Sequence, residues 1–542
     1  MTKVSRRHLL ATAVLALPLA GLARAAEVTG PLTPQQRQQL VLERRRAAAE
    51  AAKRSAAVAP QTNGDEDRYP DHRASFSKTM PHNDLGEVDP EAYQKWLAIL
   101  ASGDSAQFEH APRDAEAVER LNNPQAAYSI DLVGTDPSAL ALPPPPAFAS
   151  RAMATEMAEL YWCALMRDVP FRDYDDSALA HAAVRDLLAA GYPPLTQATL
   201  FRGETDGDRR GPFVSQFLWR DVPYGLGTLE QRFRVPCPGQ AFLATFPAWL
   251  ECQRGGAARD SLRIDSAPRY ISCYRDLVEY VHRDFSFQSF MDAALIILRM
   301  GGGRGDAVLS STNPYRGSTS QFGDITLGNK NLLTLLAQVS LLAQKASYYQ
   351  KWQVHRRARP EVLGARIDVH LSGRKSYDLH PVVLECEALA RTKTAHGSWL
   401  LPQAYPEGCP THPSYPAAHA VNAGACATVL KAFFDESFVL PDPMHATANG
   451  AALEPWTGET LTLRGEIDKL AANIALARDA AGVHFRSDSI EGLRLGENVA
   501  IGLLVDASLT YSERFDGFRF HRFDGTWVRI ANGSVEASTL PE

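Results

Sequence analysis

The sequence predicts an all-α fold with long loops and few short strands, on three observations. Apolar residues recur at helical spacing in seven segments: 152–167, 177–190, 287–300, 331–357, 417–436, 465–480 and 484–505. The best candidate for strands is 518–530, which predicts a short hairpin turning at Asp524-Gly525. Between the helices lie long Gly-, Pro- and aromatic-rich loops, at 201–240, 301–329 and 396–416. Loops of that length in a compact protein usually line a functional cleft.

The composition is that of a large globular protein. Its 542 residues are 45% hydrophobic and 22% charged, which is enough apolar content to bury a sizeable core. The formal net charge is −6, whereas proteins that bind nucleic acids or anionic membranes usually carry a basic balance or a basic face. The sequence therefore predicts neither partner, and any anion site must be local. The seven cysteines leave disulfide pairing open.

Residues 1–25 have the composition of an export signal. Arg6 and Arg7 precede an apolar run, and an Ala-Arg-Ala sequence at 23–25 offers the small residues of a cleavage site. The paired arginines indicate the twin-arginine route. An uncleaved membrane anchor is the alternative, but the run is shorter than the roughly 20 residues that a spanning helix needs. We therefore expect an exported protein, periplasmic or secreted.

The rest of the chain divides into two predicted parts. Residues 26–75 are expected to form an N-terminal arm and linker, in which 33–57 has the composition of an exposed helix. Residues 76–542 are expected to form one helical domain that carries the candidate site. Four consecutive prolines at 143–146 indicate a stiff connection before its main body.

The first cluster of candidate site residues lies within 349–361, at the end of the helix predicted from 331. Lys351 and Arg359 lie eight positions apart, and Pro360 biases Arg359 out of helical geometry. The helix should therefore stop here, which frees Arg359 to turn inward. A basic helix end that faces solvent is the alternative for this segment taken alone.

The second cluster lies within 411–421, where a proline-rich loop runs into an alanine-rich helix. Pro416 and the small residues after it open this helix with unpaired backbone N–H groups, which together with the helix dipole make an anion site. The N–H of Ala418 belongs to this cradle, and His419 falls in the first turn. A lone histidine there is more often structural, but this one accompanies a preformed oxyanion cradle.

The third cluster lies within 477–489. On an unbroken helix Arg478 and His484 would point about 120° apart, so they converge only if Gly482 breaks the helix. Once a new helix starts near His484, Asp488 lies one turn further on the same face. It is then placed to accept the imidazole N–H of His484 and to leave the other ring nitrogen as a ligand or nucleophile.

Together the three clusters resemble the three-part signature of the vanadium-dependent haloperoxidases and the related type 2 phosphatidic acid phosphatase superfamily. The spacing of eight between Lys351 and Arg359, and His412 seven residues before His419, are similar to the algal bromoperoxidase branch. The resemblance extends over about 155–520 and includes the segments 201–205, 211–218, 349–356 and 491–497. It implies helix bundles and a homodimer or larger homo-oligomer.

The resemblance also implies one vanadate per chain and a role for each cluster. His484 would bond to the vanadium, and the groups around the vanadate oxygens would be Lys351, Arg359, Arg478 and the backbone of Ala418. His419 would handle the protons of hydrogen peroxide, while His412 and Asp488 would support these groups from behind. The implied reaction oxidises bromide or iodide to hypohalous acid, which would halogenate a small organic acceptor.

Two positions, Ala417 and Ala418, depart from the family pattern, which reads Pro-Ser-Gly-His where this chain has Pro-Ala-Ala-His at 416–419. The serine hydroxyl that contacts vanadate in the family is therefore missing at Ala417. Loss of one hydrogen bond to a charged group costs roughly 1.5–3 kcal/mol, about one to two decades in affinity. We expect vanadate to bind more weakly through the remaining groups.

Two other functions could use the same residues. An acid phosphatase would employ His484 as nucleophile and His419 as general acid, because a pentavalent phosphoryl transition state shares geometry and charge with vanadate. A non-catalytic oxyanion-binding protein is the third possibility. The Lys351–Arg359 spacing and His412 favour the peroxidase. The sequence leaves open the halide preference, the oligomer size and whether a structural calcium occupies the 318–329 loop.

Overall fold

The computed structural model describes residues 30–300 and 306–538. The predicted export signal at 1–25 lies outside the described residues, as do residues 301–305 of one glycine-rich loop. Across the described ranges, no helix combines the length and the apolar character needed to cross a membrane.

Helices dominate the described residues, as the sequence predicts. They contain fifteen α-helices: α1 (Pro34–Arg54), α2 (Asp65–Arg68), α3 (Pro90–Ser102), α4 (Arg151–Met166), α5 (Ala178–Ala190), α6 (Phe246–Gln253), α7 (Tyr274–Arg283), α8 (Gln288–Met300), α9 (Asn329–Tyr349), α10 (Pro360–Leu371), α11 (Pro381–Glu385), α12 (Glu387–His396), α13 (Ala418–Phe433), α14 (Leu463–Ala480) and α15 (Arg486–Ser508).

The strands are short and antiparallel. Within the same residues they form two hairpins and one three-stranded sheet: β1 (Val222–Tyr224) with β2 (Gly227–Leu229), β3 (Met444–Ala446) with β4 (Leu453–Pro455), and β5 (Phe518–His521) with β6 (Trp527–Ala531) and β7 (Ser534–Ser538). The hairpin predicted at 518–530 corresponds to β5 and β6, in which Phe518 pairs with Ile530.

The centre of the fold is α13, which is buried along almost its whole length. It packs against α9, α14 and α15. The approach to α15 is too close for side chains at some positions. A Cβ on Gly496 would lie 1.9 Å from the carbonyl oxygen of Val421, and one on Gly424 would lie 2.1 Å from that of Leu493. Glycine at both positions therefore sets the spacing between the two helices.

The helix predicted over 331–357 ends earlier than its apolar pattern indicates. Helix α9 stops at Tyr349, a π-helical turn follows at Gln350–His355, and Arg356 has a φ of 39°. The apolar spacing continues into the π-turn, so the pattern alone does not reveal the change. Single π-turns within helices are frequently found at functional sites.

The N-terminal arm contains the predicted exposed helix. Thr33 caps α1: its hydroxyl accepts from the backbone N–H of Gln36, and the Gln36 side chain accepts from the N–H of Thr33. The segment predicted as a linker also contacts the main body. Asp65 accepts from the backbone N–H of Phe148 at 2.8 Å, and the rings of Tyr69 and Phe148 pack 5.5 Å apart. Residues 65–69 are therefore held by the domain.

All seven cysteines are free thiols, so no disulfide is formed among them. Six are buried and Cys237 is partly exposed. Burial in apolar surroundings suppresses the reactive thiolate, since it raises the pKa of Cys252 to about 11 and of Cys386 to about 12. The six buried thiols are packing residues.

Two buried histidines make the stability of the fold depend on pH. Burial lowers the pKa of both His82 and His355 to about 3, against about 6.5 in an unfolded chain. Their contribution to stability is complete above about pH 6.5 and is lost progressively as the pH falls toward 3, because only the unfolded chain then binds the protons. At pH 5 the expected loss is about 2 kcal/mol for each ring.

Denaturant unfolding at pH 7 and pH 5 measures this loss. The variant His82→Gln should show a smaller drop in the free energy of unfolding between the two values, by about 2 kcal/mol. The exposed His110 offers a matched control, and His110→Gln should keep the wild-type drop. If the free energy of unfolding fell equally in the wild type and in His82→Gln, the lowered pKa of His82 would be refuted.

Candidate active site

The three predicted clusters meet around the side chain of Arg359. Its guanidinium lies 2.8 Å from Nε2 of His484 and 3.0 Å from Nδ1 of His412. It also donates to the backbone carbonyls of His412 at 2.9 Å and Val483 at 2.8 Å. A residue of the first cluster thus contacts both of the others, so segments more than a hundred positions apart converge in the interior.

Pro360 produces this arrangement, as the sequence predicts. It occupies the first turn of α10, and Arg359 before it is extended, with φ −81° and ψ 158°. Arg359 therefore belongs to neither the π-turn before it nor α10 after it, and its side chain points away from both. It is buried to 1% exposure, where its guanidinium reaches the two histidines.

Lys351 lies in the π-turn and is completely buried. Its ammonium group donates to the backbone carbonyls of Pro413 at 2.7 Å and Ser414 at 2.8 Å, which fastens the first cluster to the second. Burial, reinforced by the positive charges of Arg359 and Arg478, lowers the pKa of Lys351 well below its usual value. A nearby anion would stabilise the charged form of this lysine.

The chain turns at Gly482, as predicted, and Arg478 comes close enough to Lys351 and Arg359 for its charge to add to burial in lowering the pKa of both. Gly482 has a φ of +85°, a conformation that favours glycine, and a Cβ there would lie 2.9 Å from Nε2 of Gln403. Helix α14 ends just before it. The buried Arg167 donates to the carbonyls of Ala480 at 2.7 Å and Ala481 at 3.2 Å, which satisfies the end of the helix.

The guanidinium of Arg478 is buried but makes little contact with other side chains. One of its terminal nitrogens donates to the hydroxyl of Tyr405 at 3.2 Å. Its Nε has no hydrogen-bond partner among the described residues. Unpartnered buried donors are rare in folded proteins, so this one indicates a place where a ligand binds.

Asp488 fixes the orientation of the His484 ring. Nδ1 of His484 lies 3.0 Å from Oδ2 of Asp488, and the same oxygen accepts from the backbone N–H of Phe485 at 3.0 Å. The new helix was predicted to start near His484, but α15 begins two residues later, at Arg486, because Phe485 is extended. Nδ1 therefore carries the proton, and Nε2, which accepts from Arg359, presents its lone pair to the cations.

Burial, together with the positive charges around the site, keeps its buried histidines neutral. Burial, Arg359 and Lys351 lower the pKa of His484 well below its usual value, and burial followed by the same two cations does so for His412. Burial alone would raise the pKa of Asp488, but Arg357 and His484 outweigh it and hold that pKa below its usual range. At neutral pH the site combines an ionised carboxylate with neutral rings.

The N-terminus of α13 supplies the predicted backbone cradle. Ala417 precedes the helix and has no side-chain group to cap it, and its own N–H donates to the carbonyl of Asp488 at 2.9 Å. His419 lies in the first turn of α13, with its Nε2 3.3 Å from Oδ1 of Asp284. With 29% of its side chain exposed, His419 is the most accessible of the predicted site residues.

The three buried cations of the site lack a carboxylate partner. Across the described ranges, Lys351, Arg359 and Arg478 donate only to backbone carbonyls, imidazole rings and a tyrosine hydroxyl. By contrast Lys431, equally buried, pairs with Asp468 at 2.9 Å. Unpaired buried charge is costly, so the arrangement favours a bound anion.

The donor set fits an oxyanion such as vanadate. Two guanidinium groups and an ammonium offer charge-assisted hydrogen bonds to its oxygens, and the first N–H groups of α13 add uncharged donors. The lone pair on Nε2 of His484 is a suitable ligand for its central atom. Within the described residues no cluster of three or more His, Cys, Asp or Glu side chains could hold a metal cation.

Sequence analysis missed four residues that support the site. Arg357 donates to Oδ1 of Asp488 at 2.6 Å, and the hydroxyl of Ser414 donates to its other oxygen. Both lie inside predicted clusters, so a search for a counter-charge to Asp488 could have found them. Asp284, at the end of α7, and Tyr405, in the 396–416 loop, belong to no motif, and only the fold brings them to the site.

Comparisons with known proteins agree with this geometry. A family model described as the VCPO second helical-bundle domain matches residues 390–509. A vanadium-dependent bromoperoxidase of Ascophyllum nodosum is 34% identical over 534 residues, 92% of this chain and 93% of that protein. One of Corallina pilulifera is 32% identical over 596 residues, 92% of this chain and 99% of that protein.

A solved structure extends the likeness to the fold. The homohexameric second vanadate-dependent bromoperoxidase of Ascophyllum nodosum matches with a TM-score of 0.87 and 27% identity, over 95% of this chain and 94% of that one. The predicted all-α, haloperoxidase-like fold is confirmed. The chain belongs to the vanadium-dependent haloperoxidases, in the branch of the algal bromoperoxidases.

Proposed function

We propose that this protein is a vanadate-dependent haloperoxidase that uses hydrogen peroxide to oxidise bromide or iodide to hypohalous acid, with one vanadate per chain. The observation that carries the proposal is the set of three buried, carboxylate-free cations around the neutral ring of His484. The likeness to bromoperoxidases over 92% of the chain supports it. The hypohalous acid would halogenate small organic acceptors.

The residues of the chain divide the work between binding and proton transfer. Bound vanadate supplies Lewis-acid activation of peroxide without a change in oxidation state. Lys351, Arg359 and Arg478 balance the negative charge of the oxyanion, and they act in a site where the surrounding low dielectric strengthens each contact. Nε2 of His484 serves as the ligand to vanadium, because Asp488 holds the proton on Nδ1.

His419 is the proposed acid–base residue. It stands at the N-terminus of α13 beside the cradle, and it is accessible enough to exchange protons with water. The carboxylate of Asp284 orients its ring through Nε2. His412 instead packs against Arg359 and supports the position of that guanidinium.

One comparison of activities tests the proposal against the two alternatives. The protein is freed of oxyanions and assayed with and without vanadate, once for halogenation of a dye with peroxide and bromide or iodide, and once for hydrolysis of an aryl phosphate. The proposal predicts vanadate-dependent halogenation. Brisk phosphate hydrolysis that vanadate inhibits, without halogenation, would identify a phosphatase. The absence of both activities would identify an oxyanion-binding protein.

Restoring the family serine should strengthen vanadate binding. The variant Ala417→Ser supplies the missing hydroxyl, and we expect about a tenfold to hundredfold tighter dissociation constant by titration calorimetry. Ala417→Gly is the control: it changes the same residue without adding a hydroxyl, and it should bind vanadate like the wild type. A serine before a helix can also cap it. A rise in unfolding stability with unchanged affinity would mean that the hydroxyl caps α13 and would contradict the expectation.

We further propose that the protein is a homo-oligomer. The match to a homohexamer supports this, and so does an apolar patch on the surface. Ile130, Leu132 and Val133 are exposed on a loop that Asp131 ties to Lys345 of α9, one turn from the exposed Leu341. We infer that a second copy covers this patch.

Light scattering after gel filtration tests this surface. Leu132→Glu should lower the measured mass to that of a smaller assembly, because it buries a charge in the interface. Leu226→Glu, at the fully exposed turn between β1 and β2, is the matched control and should keep the wild-type mass. A monomeric wild type would refute the proposal.

We also propose export by the twin-arginine route, on the sequence at 1–25. That route carries folded proteins, which agrees with seven thiols that form no disulfide. The variant Arg6→Lys/Arg7→Lys should leave the protein in the cytoplasm of an expressing bacterium, whereas the full wild-type chain should reach the periplasm or medium. Equal export of both would refute the route.

A further inference from the structure

A fourth buried arginine, Arg357, lies behind the three cations of the site. One terminal nitrogen donates to Oδ1 of Asp488 at 2.6 Å and to the hydroxyl of Ser487 at 2.9 Å. The other lies 3.2 Å from Oε2 of Glu156 on α4. The guanidinium also packs 4.0 Å from the ring centroid of Phe485. Unlike the three site cations, this arginine is held between two carboxylates.

These contacts engage both oxygens of the Asp488 carboxylate. Its Oδ1 accepts from Arg357, and its Oδ2 accepts from His484, from the Phe485 N–H and from the Ser414 hydroxyl. Three of the four donors lie on Oδ2, so Arg357 is the group that engages Oδ1. Arg357 therefore holds the oxygen of Asp488 that would otherwise be open to a cation of the site.

The same arginine ties the three clusters together. Its backbone carbonyl accepts from the N–H of Ser414 at 3.0 Å, in the second cluster. Its side chain holds the first turn of α15, in the third. Glu156 completes the connection, because it accepts from both the backbone N–H and the hydroxyl of Ser487 at 3.0 Å. Glu156 also balances the charge of Arg357, which is therefore no additional anion-binding cation.

We propose that Arg357 is a positioning residue: it reserves Asp488 for His484, and so keeps Lys351, Arg359 and Arg478 unneutralised for the oxyanion. It acts through Asp488 and does not touch the bound anion. The part of the inference that names vanadate as the anion rests on the proposed function. The part that concerns the orientation of the His484 ring in the ligand-free protein does not depend on the proposed function.

A lysine at this position could not do the same. Its single ammonium group lacks the planar fork that reaches Asp488 and Glu156 at once. In Arg357→Lys one oxygen of Asp488 therefore loses its partner. The carboxylate becomes available to Lys351, and the His484 proton is no longer fixed on Nδ1.

The test compares Arg357→Lys with Arg356→Lys. Arg356 is the neighbouring arginine, but it pairs with Glu66, away from Asp488. Nitrogen NMR of histidine-labelled, ligand-free protein reports which ring nitrogen of His484 is protonated, and calorimetry with inorganic vanadate reports affinity. In Arg357→Lys we expect the His484 proton to be no longer confined to Nδ1, and vanadate to bind at least tenfold more weakly. Arg356→Lys should match the wild type in both the His484 signal and the vanadate affinity.

Two outcomes decide the proposal. An unchanged His484 signal and wild-type vanadate affinity in Arg357→Lys would overturn it. If that variant does not fold, the double variant Arg357→Gln/Glu156→Gln removes the cation together with its counter-charge, and the same two measurements apply. A wild type that binds no vanadate would refute the proposed function, whereas the His484 signal of the ligand-free variants would still decide the role of Arg357.

Discussion

The variant His484→Ala should lose vanadate binding by about a hundredfold or more and should show no halide oxidation at vanadate concentrations that saturate the wild type. The reason is that Nε2 of His484 is the nitrogen whose lone pair faces the cation cluster. Charge attraction from the cations remains in the variant. We therefore expect weak residual binding of vanadate by calorimetry, without catalysis.

A second histidine provides the control for this experiment. His355 lies in the same basic segment, but its ring packs edge-on against Tyr415, 4.7 Å between centroids, instead of against the cations. His355→Gln should retain vanadate affinity and halide oxidation. Affinity in His484→Ala within tenfold of the wild type, or bromination at a comparable rate, would show that the vanadium is bound elsewhere.

The variant Lys351→Met should weaken vanadate binding about a hundredfold yet make the ligand-free protein more stable. The ammonium is fully buried without a counter-ion, and burial and neighbouring cations lower its pKa well below the usual value. Removing it relieves desolvation and repulsion, on the order of 1 kcal/mol after the loss of two hydrogen bonds to carbonyls. Calorimetry and denaturant unfolding measure the two effects.

Lys431 is the matched control, because it is as deeply buried but pairs with Asp468 at 2.9 Å. Lys431→Met leaves that buried carboxylate with only the longer, 3.8 Å ion pair to Arg464, which should cost about 3 kcal/mol of unfolding free energy. Two equally buried lysines should thus respond with opposite signs. If Lys351→Met lost as much unfolding free energy as Lys431→Met, Lys351 would have a structural role and would not hold an anion.

Local chemistry made much of the site predictable. Pro360 and Gly482 act on the backbone of their own segments, so the inward turn of Arg359 and the chain reversal after Arg478 follow from the sequence. The pairing of His484 with Asp488 follows from a separation of four residues near a helix start. These predictions needed no knowledge of the tertiary packing.

Tertiary packing decided the rest. The π-turn that carries Lys351 keeps the apolar spacing of the helix before it, so the pattern continues while the geometry changes. Asp284 meets His419 across 135 positions, and Glu156 meets Arg357 across 201. Neither carboxylate stands in a motif. The sequence identified the groups proposed to face the anion better than the groups that neutralise and orient them.

The most direct test of the central claim is a crystal structure of the protein loaded with vanadate. The account predicts one vanadate per chain, bonded to Nε2 of His484, with its oxygens contacted by Lys351, Arg359 and Arg478. Vanadate bound at another place, or held by these cations without a bond to the His484 nitrogen, would contradict it.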